Sequence, residues 1–111
     1  GNLDAVRDFT DVRDMVRGYV LATAKGKPGE VYNLASGKAI TIRAMLDKLI
    51  AMAKVEVKVE TDPARLRPSD LEVLIGDYSK FHADTGWEPR IPFDQTLEDL
   101  LNYWRQRIAR K

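Results

Sequence analysis

The sequence predicts a small mixed α/β domain, and three observations carry that prediction. Apolar residues recur at intervals of three and four along 12–23, 42–53 and 97–108, which places them on one stripe of a helix. Val55, Val57 and Val59 instead alternate with Glu56, Lys58 and Glu60, the period of a half-exposed strand. Glycine and proline clusters punctuate the gaps, so helical and extended pieces alternate along the chain. At 111 residues the chain is one ordinary domain with room for one core.

Taken in order, Val6-Arg7-Asp8-Phe9-Thr10 reads as a brief extended segment. In the first helix Val12, Met15, Val16, Tyr19, Val20 and Thr23 form the stripe, and the Asp11 carboxylate accepts an orphan backbone N–H at its start. Lys25-Gly26-Lys27-Pro28-Gly29 ends it, with lysines near the negative end of the dipole and a glycine free to turn left-handed. Glu30-Val31-Tyr32-Asn33-Leu34-Ala35 reads as a strand, closed by the turn Ser36-Gly37-Lys38. A second helix starts at Thr41, a good N-cap, and buries Ile42, Met45, Leu46, Leu49, Ile50 and Ala53.

With the strand at 55–59 these pieces form a βαβ unit, whose crossover is parallel and right-handed. Leu71 to Ile75 supplies one more short extended piece, and Asp77 caps a short helix carrying Phe81. Gly86-Trp87-Glu88-Pro89 breaks that helix. A C-terminal helix begins near Phe93 or Asp94 and buries Leu97, Leu100, Leu101, Trp104 and Ile108. Trp87 and Trp104 are both expected in the core.

Acidic and basic side chains nearly cancel to a net charge of +1, so no broad field argues for nucleic acid or an anionic membrane. Any anion site is local. The chain has no cysteine, which excludes disulfides, zinc-thiolate sites and thiol catalysis and fits a cytoplasmic location. No apolar run approaches the roughly 20 residues of a membrane span. No glycine pair sets up a dinucleotide turn, and no Gly-Lys-Ser or Gly-Lys-Thr P-loop is present. The single histidine, His82, reads as a surface helix position, and the serines lack a nucleophile elbow. The opening Gly1-Asn2-Leu3 runs at once into patterned sequence, as in a piece cut from something longer.

One stretch does carry binding chemistry. In Arg65-Leu66-Arg67-Pro68-Ser69-Asp70 the proline stiffens the turn and pushes Arg67 to an extended backbone. A guanidinium held this way matches two phosphate oxygens, and Asp70 adds an acceptor for a sugar hydroxyl or a base edge. The same turn also suits a solvated surface feature whose ion pairs contribute little.

Several motifs in order resemble a family. Gly1-Asn2-Leu3-Asp4-Ala5-Val6-Arg7-Asp8-Phe9, Val31-Tyr32-Asn33-Leu34-Ala35-Ser36-Gly37, Arg67-Pro68-Ser69-Asp70, Gly76-Asp77 and Gly86-Trp87-Glu88-Pro89 look like the C-terminal part of extended short-chain dehydrogenases/reductases. Within these they are most similar to GDP-mannose 4,6-dehydratase and GDP-4-dehydro-6-deoxy-D-mannose reductase. The resemblance implies the substrate-binding subdomain of a Rossmann-type enzyme, with residues 1–111 lacking the Rossmann half. It further implies that the parent transfers hydride with NADP or NAD at C4 of a GDP-linked hexose. Arg7 and Arg67 would hold the nucleotide diphosphate and Asp70 the ribose.

The chain departs from the family in one respect. The positions four after Tyr19, Tyr32, Tyr78 and Tyr103 are Thr23, Ser36, His82 and Arg107, so no tyrosine has the lysine of a Tyr-x-x-x-Lys pair. No catalytic residue and no cofactor site are therefore expected within these residues, and no turnover by the isolated chain. Without its other half the chain is expected to show a large apolar patch and to self-associate through it. The alternative is a stand-alone module, either a non-catalytic binder or a structural interaction domain.

Overall fold

The computed structural model describes residues 1–68 and 71–110. Its elements in chain order are β1 (Val6–Arg7), α1 (Val12–Lys25), β2 (Ile40–Thr41), α2 (Ile42–Met52), a single 3-10 turn (Pro63–Arg65), β3 (Val73–Leu74), α3 (Ser79–Thr85) and α4 (Phe93–Ala109). The three strands form one sheet in the order β2-β1-β3. β1 runs antiparallel to β2, with Val6 opposite Thr41, and parallel to β3, with Val6 opposite Val73. The fold class is therefore α/β, as predicted.

Helix starts follow the local signals. Asp11 caps α1 by accepting the Arg13 N–H, and Thr41 caps α2 by accepting that of Ala44. Asp77 accepts the N–H of Ser79 at the head of α3, and α4 begins at Phe93. The end of α1 differs from expectation. Gly26 keeps an extended φ of −66°, and the left-handed residue of that loop is Gly29, with φ of 79°.

Two predicted strands are absent: residues 30–35 and 55–59 belong to no ladder. The alternating pattern at 55–59 describes two faces, but no neighbouring strand among the described residues supplies hydrogen-bond partners there. Val55 is 74% exposed and Val31 79% exposed. The parallel pairing expected of a βαβ unit instead joins β1 to β3, while β2, which the sequence pattern does not mark, pairs with the other edge of β1.

Among the described residues the buried apolar ones are few: Ala5, Ala35, Leu97 and the fully buried Phe81 and Trp87. Phe81 and Trp87 lie at the centre, with Tyr32 tilted against Phe81 and Tyr78 edge-on to Trp87. Trp104, predicted in the core, is about half exposed, as is Leu100, and Ile108 on the same stripe of α4 is about two thirds exposed. The face of α1 is turned the unexpected way. Asp14 and Gly18 point inward, whereas Val12, Val16, Tyr19 and Val20 are each more than half exposed.

The result is a thin, open molecule. Its radius of gyration is 17.1 Å, against about 13 Å for a compact domain of this length. Its accessible surface is 8496 Å², against roughly 6,200 Å² for a folded monomer of this mass. No helix among the described residues is long and apolar enough to cross a membrane.

Candidate functional site

Arg7 sits on the central strand, and its guanidinium is already oriented by the backbone. Nη1 donates to the carbonyls of Val6 at 2.8 Å and Glu72 at 3.4 Å, and Nη2 donates to Leu71 at 3.0 Å. Five N–H groups are available on a guanidinium, so Nε–H and one Nη2–H remain without a partner among the described residues. These two form a side-on fork that suits two oxygens of one anion. Arg7 lines an open cleft of about 380 Å³ together with Asp8, Asn33, Ala35, Leu74 and Gly76.

Asp8 is the polar centre of that wall. Its Oδ1 accepts the Ser36 N–H at 2.9 Å and the Ser36 hydroxyl at 2.5 Å. Its Oδ2 accepts the N–H of Gly37 at 2.8 Å and of Gly76 at 3.1 Å. Partial burial pushes the carboxyl up, but the Ser36, Gly76 and Gly37 hydrogen bonds outweigh it and hold the group below its ordinary value. The approach at Gly76 is so close that a Cβ there would stand 2.2 Å from the Ala35 methyl.

Arg67 follows the 3-10 turn, is exposed, and pairs with no carboxylate among the described residues. It is not among the residues lining the Arg7 cleft. Arg65 reaches Asp62 at 3.4 Å, a pair too exposed to contribute much. Asp70, the predicted ribose contact, lies outside the described residues. Where the chain returns to β3 the Glu72 carbonyl accepts the Val6 N–H at 2.8 Å, and the Arg7 guanidinium adds bonds to the carbonyls of Leu71 and Glu72.

A second polar knot fixes α1. Asp14 is 2% exposed; its Oδ2 accepts the N–H groups of Arg90 and Ile91, and its Oδ1 accepts Arg17 Nη2 at 2.9 Å. The Trp87 indole N–H donates to the Asp14 carbonyl at 3.0 Å. Asp11 accepts from Arg13 and from the Thr96 hydroxyl, joining α1 to α4, and these bonds hold its carboxyl well below the usual carboxylate range. A second cleft of about 390 Å³ opens beside this knot, with Phe9 and Phe93, stacked on each other, among its lining residues.

Sequence reasoning missed Asp8 and Asp14 as structural centres. The only signal was their spacing with Asp11, three residues apart each time, at the point where strand gives way to helix.

Among the described residues the titratable groups of Tyr32, Lys80 and His82 are engaged in ordinary hydrogen bonds and ring contacts. Lys80 lies 5.2 Å from the Tyr32 ring centre, a tyrosine and lysine brought together from distant sequence. The Tyr32 hydroxyl, however, donates to Asp84 at 2.6 Å, which raises its pKa, the opposite of what a catalytic phenolate needs. His82 is exposed, with Nδ1 3.0 Å from the Trp87 carbonyl. No cluster of metal-ligating side chains occurs among the described residues.

Comparison with known proteins adds the following. The model of the family described as GDP-mannose 4,6 dehydratase matches residues 1–100. GDP-6-deoxy-D-mannose reductase of Pseudomonas aeruginosa is 36% identical over 108 residues, covering 97% of this chain and 36% of the relative. A probable UDP-arabinose 4-epimerase of Arabidopsis thaliana is 33% identical, covering 95% of this chain and 25% of the relative. Among solved structures, RMD from Pseudomonas aeruginosa complexed with NADPH superposes with a TM-score of 0.88 at 34% identity, covering 96% of this chain and 34% of that one. UDP-glucose 4-epimerase from Thermotoga maritima, solved with UDP-glucose, gives 0.75 at 30% identity, covering 97% of this chain and 34% of that one. The chain thus spans between a quarter and about a third of the length of these proteins.

Proposed function

The chain belongs to the GDP-mannose 4,6 dehydratase family, and from that premise we propose that residues 1–111 form the nucleotide-sugar-binding subdomain of an NAD(P)-dependent sugar-nucleotide dehydratase, reductase or epimerase. In this reading Arg7 and Arg67 grip the diphosphate of a GDP-linked hexose and Asp70 meets the ribose. The hydride carrier and the catalytic acid-base pair belong to a nucleotide-binding half outside these residues, and the assembled enzyme works in the cytoplasm.

The observation that carries this reading is the state of Arg7. Its end-on N–H groups are spent on the carbonyls of Leu71 and Glu72, while the side-on fork is left for an anion in an open cleft. A guanidinium fixed in advance loses little further entropy on binding, and remote anchoring of this kind fixes a sugar for reaction elsewhere. The open shape supports the same reading. Its surface excess is roughly 2,300 Å² over a compact monomer, as much as one side of a large permanent interface.

GDP, UDP and GDP-mannose titrated into the isotopically labelled chain test the grip. Amide signals of Arg7 and of 74–76 should shift, and Arg7→Ala and Arg67→Ala should each weaken GDP binding by roughly tenfold or more, as loss of a charge-assisted hydrogen bond requires. Silence at millimolar ligand would leave only a structural module. An NADP-coupled assay with GDP-mannose and with the 4-keto sugar should read zero, and measurable turnover would defeat the assignment of catalysis to a missing half.

A further inference from the structure

β3 is only two residues long, and both are exposed. So short a ladder cannot by itself fix the segment that carries the cleft wall. The Val6 N–H holds the Glu72 carbonyl at 2.8 Å, and two adjacent side chains, Arg7 at the end of β1 and Asp8 just after it, add to that hold. The Arg7 guanidinium holds the chain just before β3 at Leu71 and Glu72, and the Asp8 carboxylate holds it just after, at the Gly76 N–H. The same carboxylate gathers the Ser36-Gly37 turn from the other side.

We propose that Asp8 is a positioning residue for nucleotide binding: by clamping Gly76 and the Ser36-Gly37 turn beside β1 it sets the walls of the cleft into which Arg7 presents its free fork. This rests on the nucleotide reading above. Asp8 touches no ligand in this scheme. It acts on the segment that Arg7 also holds: Arg7 and the Val6 N–H fix its near end at Leu71 and Glu72, and Asp8 fixes its far end at Gly76. The close contact of Gly76 with Ala35 belongs to the same device, since it lets the two segments approach near enough to share one carboxylate.

Asp8→Asn tests the clamp with little change of shape. One oxygen of the amide can still accept from Ser36, but its NH₂ group opposes the N–H groups of Gly37 and Gly76. Amide hydrogen exchange at those two glycines, measured without ligand, should accelerate by roughly tenfold or more, and GDP affinity should fall by a similar factor. Thr85→Ala is the control. Buried Thr85 bridges the Phe81 carbonyl and the Trp87 N–H, away from the cleft, so this variant should lower the melting temperature and leave GDP affinity as in the parent.

Unchanged exchange at Gly37 and Gly76 in Asp8→Asn overturns the clamp. Accelerated exchange with parental GDP affinity overturns the positioning role alone. A parent chain that ignores GDP overturns the nucleotide reading instead, while exchange at the two glycines still decides the clamp independently. Should Asp8→Asn fail to fold, Ser36→Ala takes its place: it removes one donor and keeps the charge, so exchange at Gly37 should rise by about threefold or more, and no change there refutes the inference.

Discussion

Replacing Asp14 by asparagine is the sharpest test of how this fold is held. The Asp14 side chain is 3% exposed, and that of its partner Arg17 is 26% exposed. Oδ2 accepts the N–H groups of Arg90 and Ile91, at 3.1 and 3.0 Å. An asparagine that keeps one acceptor must direct its NH₂ group either at Arg17 or at the two backbone donors, so at least one buried donor loses its partner and the Arg17 charge loses its counter-ion. Removing one partner of a buried pair costs about 3 to 5 kcal/mol. The partial exposure of Arg17 brings the expectation down to about 3 kcal/mol.

At a urea slope of about 1.5 kcal/mol per molar, that loss moves the unfolding midpoint down by about 2 M. Burial pushes the Asp14 carboxyl up, but the Ile91, Arg17 and Arg90 contacts prevail and leave it below its ordinary value. A carboxyl depressed in the fold contributes its stability above the unfolded value and loses it as pH falls through the folded value. Asp14→Asn should therefore flatten the acid limb of the stability curve below about pH 4. Urea titrations from pH 7 down to pH 2 read both effects. A midpoint shift of less than about 0.3 M at pH 7, or an unchanged acid limb, would refute the reasoning.

The two tryptophans should separate cleanly. Trp87 is fully buried and Trp104 is 51% exposed, so Trp87→Ala should cost about 3 to 5 kcal/mol and Trp104→Ala less than about 1 kcal/mol. Acrylamide should quench the emission that remains in Trp87→Phe and spare that in Trp104→Phe, and equal quenching of both would contradict the burial. The outward stripe of α1 predicts self-association of the chain: Val16→Asp with Val20→Asp should shift sedimentation to monomer while changing stability by less than about 0.5 kcal/mol. A parent chain that sediments as a monomer up to millimolar concentration would count against an uncovered apolar face.

The sequence by itself determined what depends on residues within a turn of one another. Asp11 and Thr41 cap helices because a side-chain oxygen two or three residues away reaches an orphan amide. The start of α4 at Phe93 and the burial of Phe81 were equally local readings. Ordered motifs also carried the family, since their identities and spacing need no coordinates. Tertiary structure decided the rest. Whether 30–35, 55–59 or 40–41 becomes a strand depends on a neighbour from far along the chain, because a ladder needs partners for its N–H and C=O groups and an alternating pattern supplies only faces.

The orientation of α1 was hidden for the same reason. Its apolar stripe is plain in the sequence, but Asp14 turns inward because Arg90, Ile91 and Trp87, more than 70 residues away, bring hydrogen bonds that satisfy a buried carboxylate and its own carbonyl. Asp8 reads as an ordinary polar residue until Ser36, Gly37 and Gly76 converge on it. Side-chain periodicity states which surfaces a segment offers; the electrostatic demand of polar groups buried by distant segments selects the surface that is used.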